Sequence, residues 1–161
     1  MDMKNHFHTK TTYMLMRFDY LVLLLLSVYL FIVHLDEIRW PVFVATFVWQ
    51  DLIGYLPAFV VYYFVKKGKV RYMPKIFYVL YNVTHSIATN VCLLVVWAIV
   101  IGGWEWAMLS LPIHLFFDRS IPGNVYKPFK LAFEPVLHDD YKDFLENIAE
   151  KSHWGTQTRN G

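Results

Sequence analysis

Four ionisable residues stand inside long apolar runs of this chain: Asp51, His85, His114 and Asp118. An acid at the centre of a transmembrane helix costs about 2.5–3.5 kcal/mol on insertion scales, so such a residue turns inward and finds a partner. His114 and Asp118 are four apart, one helical turn, and point the same way, with Ser110 extending the line. Asn82, His85 and Thr89 recur at i, i+3 and i+7, with Ser86 and Asn90 close by, which makes a polar stripe on one helix face. Two imidazoles and two carboxylates are a mixed nitrogen and oxygen donor set of the kind that suits Zn²⁺, Mn²⁺ or Fe²⁺. With water in an open position, such an ion generates a hydroxide nucleophile near neutral pH. Each part also has a plainer reading. Asn, Ser, Thr and His commonly bind membrane helices together, and a His–Asp pair at i, i+4 is an ordinary hydrogen bond. Asp51 with His85 could also act without metal as an acid–base pair.

The elements that must position these residues follow from hydropathy. The chain has 161 residues, 57% of them hydrophobic and 17% charged, with the apolar residues in blocks. That is the composition of an integral membrane protein. Four spans are expected, at about 18–35, 40–65, 76–101 and 104–120, in an all-α transmembrane bundle covering residues 1–121. The fourth is the shortest, needing Asp118-Arg119-Ser120 and the shielding of its neighbours to approach the hydrocarbon thickness. Gly54 and Pro57 bend the second span beside Asp51, since Pro57 cannot donate to the carbonyl of Ile53. Residues 122–161 read as a cytoplasmic tail with a short amphipathic helix from about His138 to Lys151.

Lys66, Lys67, Lys69, Arg71 and Lys75 crowd the second connection, whereas 34–39 is net acidic and Gly102-Gly103 is uncharged. The positive-inside rule then places that loop and both termini in the cytoplasm, and Trp40, Trp104 and Trp106 at the opposite interface. The first apolar block follows Lys4, Lys10 and Arg17 but lacks a small-x-small cleavage site, so it reads as an uncleaved span. A net charge of +2 gives no nucleic-acid footprint, and Cys92, the single cysteine, excludes an intrachain disulfide and a CxxC motif. The Asn82-Val83-Thr84 sequon lies inside a span, His138-Asp139-Asp140 reads as a helix cap, and His6 and His8 belong to the terminus.

With this topology Asp51 lies about 21 Å from the cytoplasmic end of its span, His85 about 13 Å from the same side, and His114 about 15 Å from the other. All fall in the central part of a core about 30 Å thick, with Asp118 one turn beyond His114 toward the level of His85. Asp51, His85, His114 and Asp118 are therefore expected to converge as metal ligands and catalytic groups, with Asn82 and Arg119 orienting substrate or ligands.

The motifs that carry these residues resemble two groups. Trp49-Gln50-Asp51-Leu52-Ile53-Gly54-Tyr55, then Tyr81-Asn82-Val83-Thr84-His85-Ser86, then His114-Leu115-Phe116-Phe117-Asp118-Arg119, resemble small, uncharacterised bacterial four-helix membrane proteins with Tyr-Asn-x-x-His and His-x-x-x-Asp-Arg motifs. More distantly the chain is similar to bacterial membrane-bound metal-dependent hydrolases, with their Thr-His-Ser and His-x-x-x-Asp motifs and a following Pro and Gly, here Pro122-Gly123. The resemblance covers about residues 48–129. The chain has the single acid Asp51 where the hydrolases carry an Asp-x-Asp-His cluster, and it lacks the histidines preceding their Thr-His-Ser. The hydrolase resemblance implies a metal-dependent enzyme acting on a lipid or other amphiphile that arrives from the bilayer. The competing expectation is a transport subunit or accessory protein whose buried polar residues serve packing or proton transfer.

Overall fold

The computed structural model describes residues 10–65 and 73–127, together with Phe129, Phe133, Asp140, Asp143, Phe144, Glu146 and Asn147. The elements are all helical: α1 (Lys10–Val33), α2 (Trp40–Gly54), α3 (Leu56–Val60), α4 (Lys75–Thr84), α5 (Ile87–Ile101) and α6 (Ser110–Ser120). Short 3₁₀ turns at Leu35–Glu37 and Trp106–Leu109 lead into α2 and α6, and Val61–Val65 continues α3 as a π-helix. The basic loop at 66–71 and most of the expected tail helix lie outside the described residues, although Asp140, Asp143, Phe144, Glu146 and Asn147 are helical.

One helix is by itself long and apolar enough to cross a membrane: α1, over Thr11–Val33. Two further spans exist only if each bent pair counts as one, α2 with Leu56–Val65 at 45° and α4 with α5 at 55°. The expected four spans are thus one, or up to three. The fourth segment, α6, has 11 residues, about 16 Å at 1.5 Å per residue, well short of a hydrocarbon core of about 30 Å. Its helix starts at Ser110 rather than near Trp104 because residues 106–109 wind as 3₁₀.

Apolar side chains crowd the surface, and the interior mixes an apolar cluster of Ala58, Met73, Tyr78, Tyr81 and Phe133 with many polar groups. Leu15, Phe18, Leu25, Ile32, Ile99 and Val100 are exposed, while Gln50, Thr84, His85, Asn90, Ser110, His114 and Arg119 are buried. Large exposed apolar faces around an interior with many polar groups suit a lipid solvent, in which polar groups must satisfy one another.

The bend after α2 has the expected cause. The helix stops at Gly54, and Pro57 sits in the first turn of α3, where its missing N–H costs nothing. Gly54 also has a second role. A Cβ there would lie 2.1 Å from Thr84 Oγ1, 3.2 Å from Tyr81 Cα and 3.3 Å from His85 Cε1. Only glycine lets α2 pack this closely on α4, which draws Asp51 toward His85.

The break between α4 and α5 has no proline or glycine behind it. His85 has φ −94° and ψ 16°, and Ser86 is extended. Two carbonyls freed by the break are met by side chains: Asn90 Nδ2 donates to Thr84 O at 3.0 Å and Arg119 Nη2 donates to His85 O at 3.0 Å. Asn90 Nδ2 also donates to Ser86 O at 2.8 Å. The expected single face carrying Asn82, His85 and Thr89 is therefore split, since Thr89 lies on α5 beyond the bend.

Helix α6 is the hub, packed against α1 and α2 and touching α5. Its last carbonyls, which no further turn can satisfy, are clamped from α1. Arg17 Nε donates to Ser120 O at 2.8 Å, Arg17 Nη2 donates to Ile121 O, and Tyr13 donates to Gly123 O at 3.0 Å. On its other side Thr46 and Ser110 hydroxyls meet at 2.5 Å, and Gln50 Nε2 donates to Leu111 O at 3.2 Å.

At one end of the bundle Arg39 and Glu105 tie the α1–α2 connection to the α5–α6 connection. Their pairing is bidentate, with Arg39 Nη2 donating to Glu105 Oε2 at 2.8 Å, and Trp97 Nε1 donates to the same oxygen at 2.5 Å. His34 stacks on Trp106 beside them, ring centroids 3.6 Å apart. The hydrogen bonds from Arg39 hold the Glu105 carboxyl below its ordinary range. A depressed carboxyl stabilises the fold above its unfolded pKa, roughly 4.3, and that contribution is lost as pH falls through the folded value. In detergent, the melting temperature of the wild type should fall on acidification below about pH 4.5, with E105Q showing a flatter acid limb and a lower melting temperature at neutral pH. Parallel pH profiles for the two proteins would contradict this. A second expectation concerns α2 and α4: G54A should destabilise by about 1–3 kcal/mol, the usual cost of overpacking, as measured by thermal unfolding.

Candidate metal centre

Each of the four buried ionisable residues comes from a different local device. Asp51 sits three residues before the end of α2, delivered by the Gly54 approach. His85 occupies the break after α4. His114 and Asp118 share one face of α6. Among the described residues the structure brings these four together, with one ligand atom from each lying within 4.8 Å of all the others. His85 is 1% and His114 6% exposed by side chain, Asp118 19% and Asp51 51%. The group is thus buried on three sides and open at Asp51.

The tautomer of His85 follows from its neighbours. Nδ1 lies 3.0 Å from Tyr81 O and 3.0 Å from Thr84 Oγ1. A carbonyl oxygen can only accept, so Nδ1 carries the hydrogen. The Thr84 hydroxyl is itself 3.0 Å from Leu80 O, to which it donates, leaving its oxygen free to accept. Tyr81 also stacks on the imidazole, centroids 4.0 Å apart and planes at 11°, which fixes the ring plane. In the neutral ring the Nε2 lone pair then points at the carboxylates, the orientation that a donor on the far nitrogen imposes on metal-binding histidines.

Nε2 of His85 is 3.4 Å from Asp51 Oδ1 and 3.4 Å from Asp118 Oδ2, and Nε2 of His114 is 3.5 Å from Asp51 Oδ2 and 4.0 Å from Asp118 Oδ2. None of these is a hydrogen bond, and both Nε2 atoms are buried without a hydrogen-bond partner. A charge-assisted N–H···O bond would bring the atoms to about 2.7–2.9 Å. Four donors around one ion at bond lengths of about 2.0–2.2 Å stand about 3.3–3.6 Å apart along the edges of a tetrahedron. Three of the four separations fall in that range, two of them to different oxygens of Asp51, and with one ligand atom from each residue the whole set lies within 4.8 Å. Both ring nitrogens of His114 are buried without a hydrogen-bond partner, and a buried polar atom left so is costly unless a cation or another group meets it. The set therefore could hold a metal ion, and its donors fit one.

Asn82 and Arg119, expected to orient substrate or ligands, both bond to backbone. Asn82 clasps the backbone of Lys127, its Nδ2 donating to Lys127 O at 2.9 Å and its Oδ1 accepting from Lys127 N at 2.7 Å. Arg119 is 2% exposed; besides His85 O it donates to Tyr20 Oη at 2.6 Å and lies between the Tyr20 and Tyr126 rings, 4.9 and 5.1 Å from their centroids. It anchors the backbone of a ligand rather than reaching the ligand atoms. Tyr81, Gly54 and Asn90 escaped sequence reasoning as contributors to the centre. Ser86 and Asn90 gave the one hint, since both residue types favour caps over helix interiors.

Compared with protein-family models, with curated proteins and with solved structures, the chain matches none. The resemblances drawn from short motifs rest on those motifs alone.

The Asn82 clasp makes a separable prediction. N82A removes both partners of the Lys127 backbone and should cost about 1–3 kcal/mol, read by thermal unfolding, with metal stoichiometry unchanged. Loss of metal from a folded N82A would place Asn82 in the centre after all.

Proposed function

We propose that this chain is an integral membrane metal protein whose His₂Asp₂ centre serves a hydrolase acting on a lipid or other amphiphile. The observation that supports it best is the spacing of four donors at 3.4–4.0 Å with unpartnered imidazole nitrogens facing carboxylates. Two carboxylates and a divalent ion are together neutral, the condition under which such a group can be carried at depth in lipid.

A catalytic centre needs an approach. Asp51 is the exposed edge of the group, and on the helix surface it is flanked by the exposed Val48 and Leu52. A molecule reaching the centre past those side chains travels through an apolar surrounding, which favours an amphiphile over a water-soluble substrate. A divalent ion held here supplies Lewis acidity and an acidified water. The chain's own residues hold the donors in place, and the carboxylate of Asp51, half-exposed, is placed to take a proton from an attacking water.

The transmembrane arrangement belongs to the same reading. With α1 as one span and the two bent pairs as two more, α6 is a short buried helix enclosed by them. The α1–α2 and α5–α6 connections meet at one end through Arg39 and Glu105, as the charge distribution of the loops requires. The N-terminus then faces the cytoplasm with the basic loop, and the C-terminal tail joins them because α6 leads the chain back inside the bundle toward the start of α1, where Tyr13 donates to Gly123 O.

Purified, detergent-solubilised protein grown in metal-replete medium should carry close to one equivalent of Zn, Mn or Fe by mass spectrometry. H85A and H114A should each lower its affinity by more than about 100-fold, the upper range for losing an outer-shell partner, while remaining helical by circular dichroism. Folded wild-type protein without metal would remove the proposal and leave a metal-free polar cluster serving packing or proton transfer. Chelator-sensitive turnover on a panel of lipid esters is the expected activity; metal without turnover would refute the hydrolase part alone.

A further inference from the structure

The charges around the centre do not sum to zero. Two carboxylates contribute −2 and a divalent ion would contribute +2; the Arg119 guanidinium, next to Asp118 in the chain, adds positive charge, as does the buried Lys127 ammonium over the Tyr81 ring that stacks on His85. Arg119 is 2% exposed, its Nε is buried without a hydrogen-bond partner, and among the described residues no carboxylate lies within ion-pairing distance of it. Its other nitrogens are spent on neutral acceptors, His85 O and Tyr20 Oη. The tyrosine faces beside it ease a buried cation but carry no net charge. An excess of positive charge in a buried site is costly and draws in an anion.

Resting on the metal reading above, we propose that the centre binds an oxyanion of the phosphate class at the Asp51 edge, with Arg119 supplying the balancing charge from behind His85. Two features of the site favour an anion there. Asp51 leaves the group half-open, so one coordination position can face an incoming ligand. Arg119 also holds the carbonyl of His85, so its charge stays fixed relative to the ligand nitrogen rather than swinging away on a flexible stem. The same chemistry is offered by a lipid phosphate headgroup and by free phosphate. A phosphate lipid combines that headgroup with the apolar approach past Val48 and Leu52.

The test uses the full chain loaded with Co²⁺ in phosphate-free maltoside micelles, with the visible cobalt bands as readout. Inorganic phosphate, a short-chain phosphatidic acid and an uncharged diacylglycerol are titrated separately. Both anions should shift the bands saturably and the diacylglycerol should not. Tighter binding of phosphatidic acid identifies the lipid headgroup as the source, and equal or tighter binding of inorganic phosphate identifies the free ion. R119Q should bind either anion about tenfold more weakly or worse, the scale of one unit charge acting over roughly 10 Å at an effective dielectric near 20, with R119K within about threefold of the wild type. Cobalt that binds stoichiometrically but ignores both anions overturns this inference and leaves the metal centre standing. A chain that binds no cobalt overturns the metal reading, and the neutral alternative is then two acids balanced by Arg119 and Lys127. Should R119Q lose its cobalt along with the His85 anchor, the wild-type titrations and R119K decide.

Discussion

A helix that breaks in an apolar surrounding must find a donor for every carbonyl it frees, and the rest of this structure is arranged around one such break. At His85 the α4–α5 path turns by 55°, and Thr84 and His85, whose carbonyls it frees, are buried away from solvent. Asn90 reaches back to Thr84 O, and Arg119 reaches across from α6 to His85 O. These two bonds make the break tolerable. In an uninterrupted helix the imidazole of residue 85 would lie along the helix face. At the C-terminus of α4 it folds back onto Tyr81, which stacks on it and accepts from its Nδ1. Asn90 and Arg119 thus meet the carbonyls, while Tyr81 and Thr84 set the orientation of Nε2.

Arg119 can serve His85 only because α6 is held at a fixed height beside the break. That height is set from α1, where Tyr13, Arg17 and Tyr20 take the carbonyls of Gly123, Ser120 and Ile121 and one arm of Arg119. Helix α1 is otherwise exposed and apolar, so its polar residues form a short clamp on an element that faces solvent elsewhere. From the opposite side Thr46 and Gln50 fix the start of α6 against α2, and Gly54 lets α2 approach α4. The three contacts close a triangle whose interior is the His–Asp group. Side-chain donors to backbone acceptors are what membrane helices have available for this purpose, since lipid offers no hydrophobic gain for bringing helices together.

Much of this was legible in the residue types. A carboxylate in the middle of an apolar run is expensive enough to require a partner, so Asp51, His85, His114 and Asp118 declared themselves and were rightly expected to meet. Proline chemistry located the α2–α3 bend. Hydropathy alone could not separate a continuous span from two helices meeting at an angle, because both have the same composition. The break at His85 was therefore invisible, and with it the splitting of the Asn82, His85 and Thr89 stripe. The backbone partners of Asn82 and Arg119 were hidden for a related reason. A polar side chain near a candidate site reads as a substrate contact, whereas here the backbone of an irregular segment claimed both residues first. Gly54 was read only as part of the bend beside Asp51, since a sequence shows which residue lacks a Cβ but not what stands where that Cβ would go.

The shortness of α6 connects these observations. A helix of 11 residues is too short for a hydrocarbon core of about 30 Å, and its ends are held by protein: the last by the clamp from α1, the first by Thr46 on Ser110 and Gln50 on Leu111 O. A helix enclosed in this way has no lipid-facing requirement on most of its surface, which frees it to carry Ser110, His114, Asp118, Arg119 and Ser120 within a single short element. A full-length span with that density of polar groups would insert poorly, at about 2.5–3.5 kcal/mol for each central charge. Placing the charges on a short internal helix keeps them apart from the long apolar stretch of α1 that is by itself able to cross a membrane. The group on α6 is then completed by Asp51 from the bent second segment and His85 from the broken third, and both irregularities occur where those side chains turn inward.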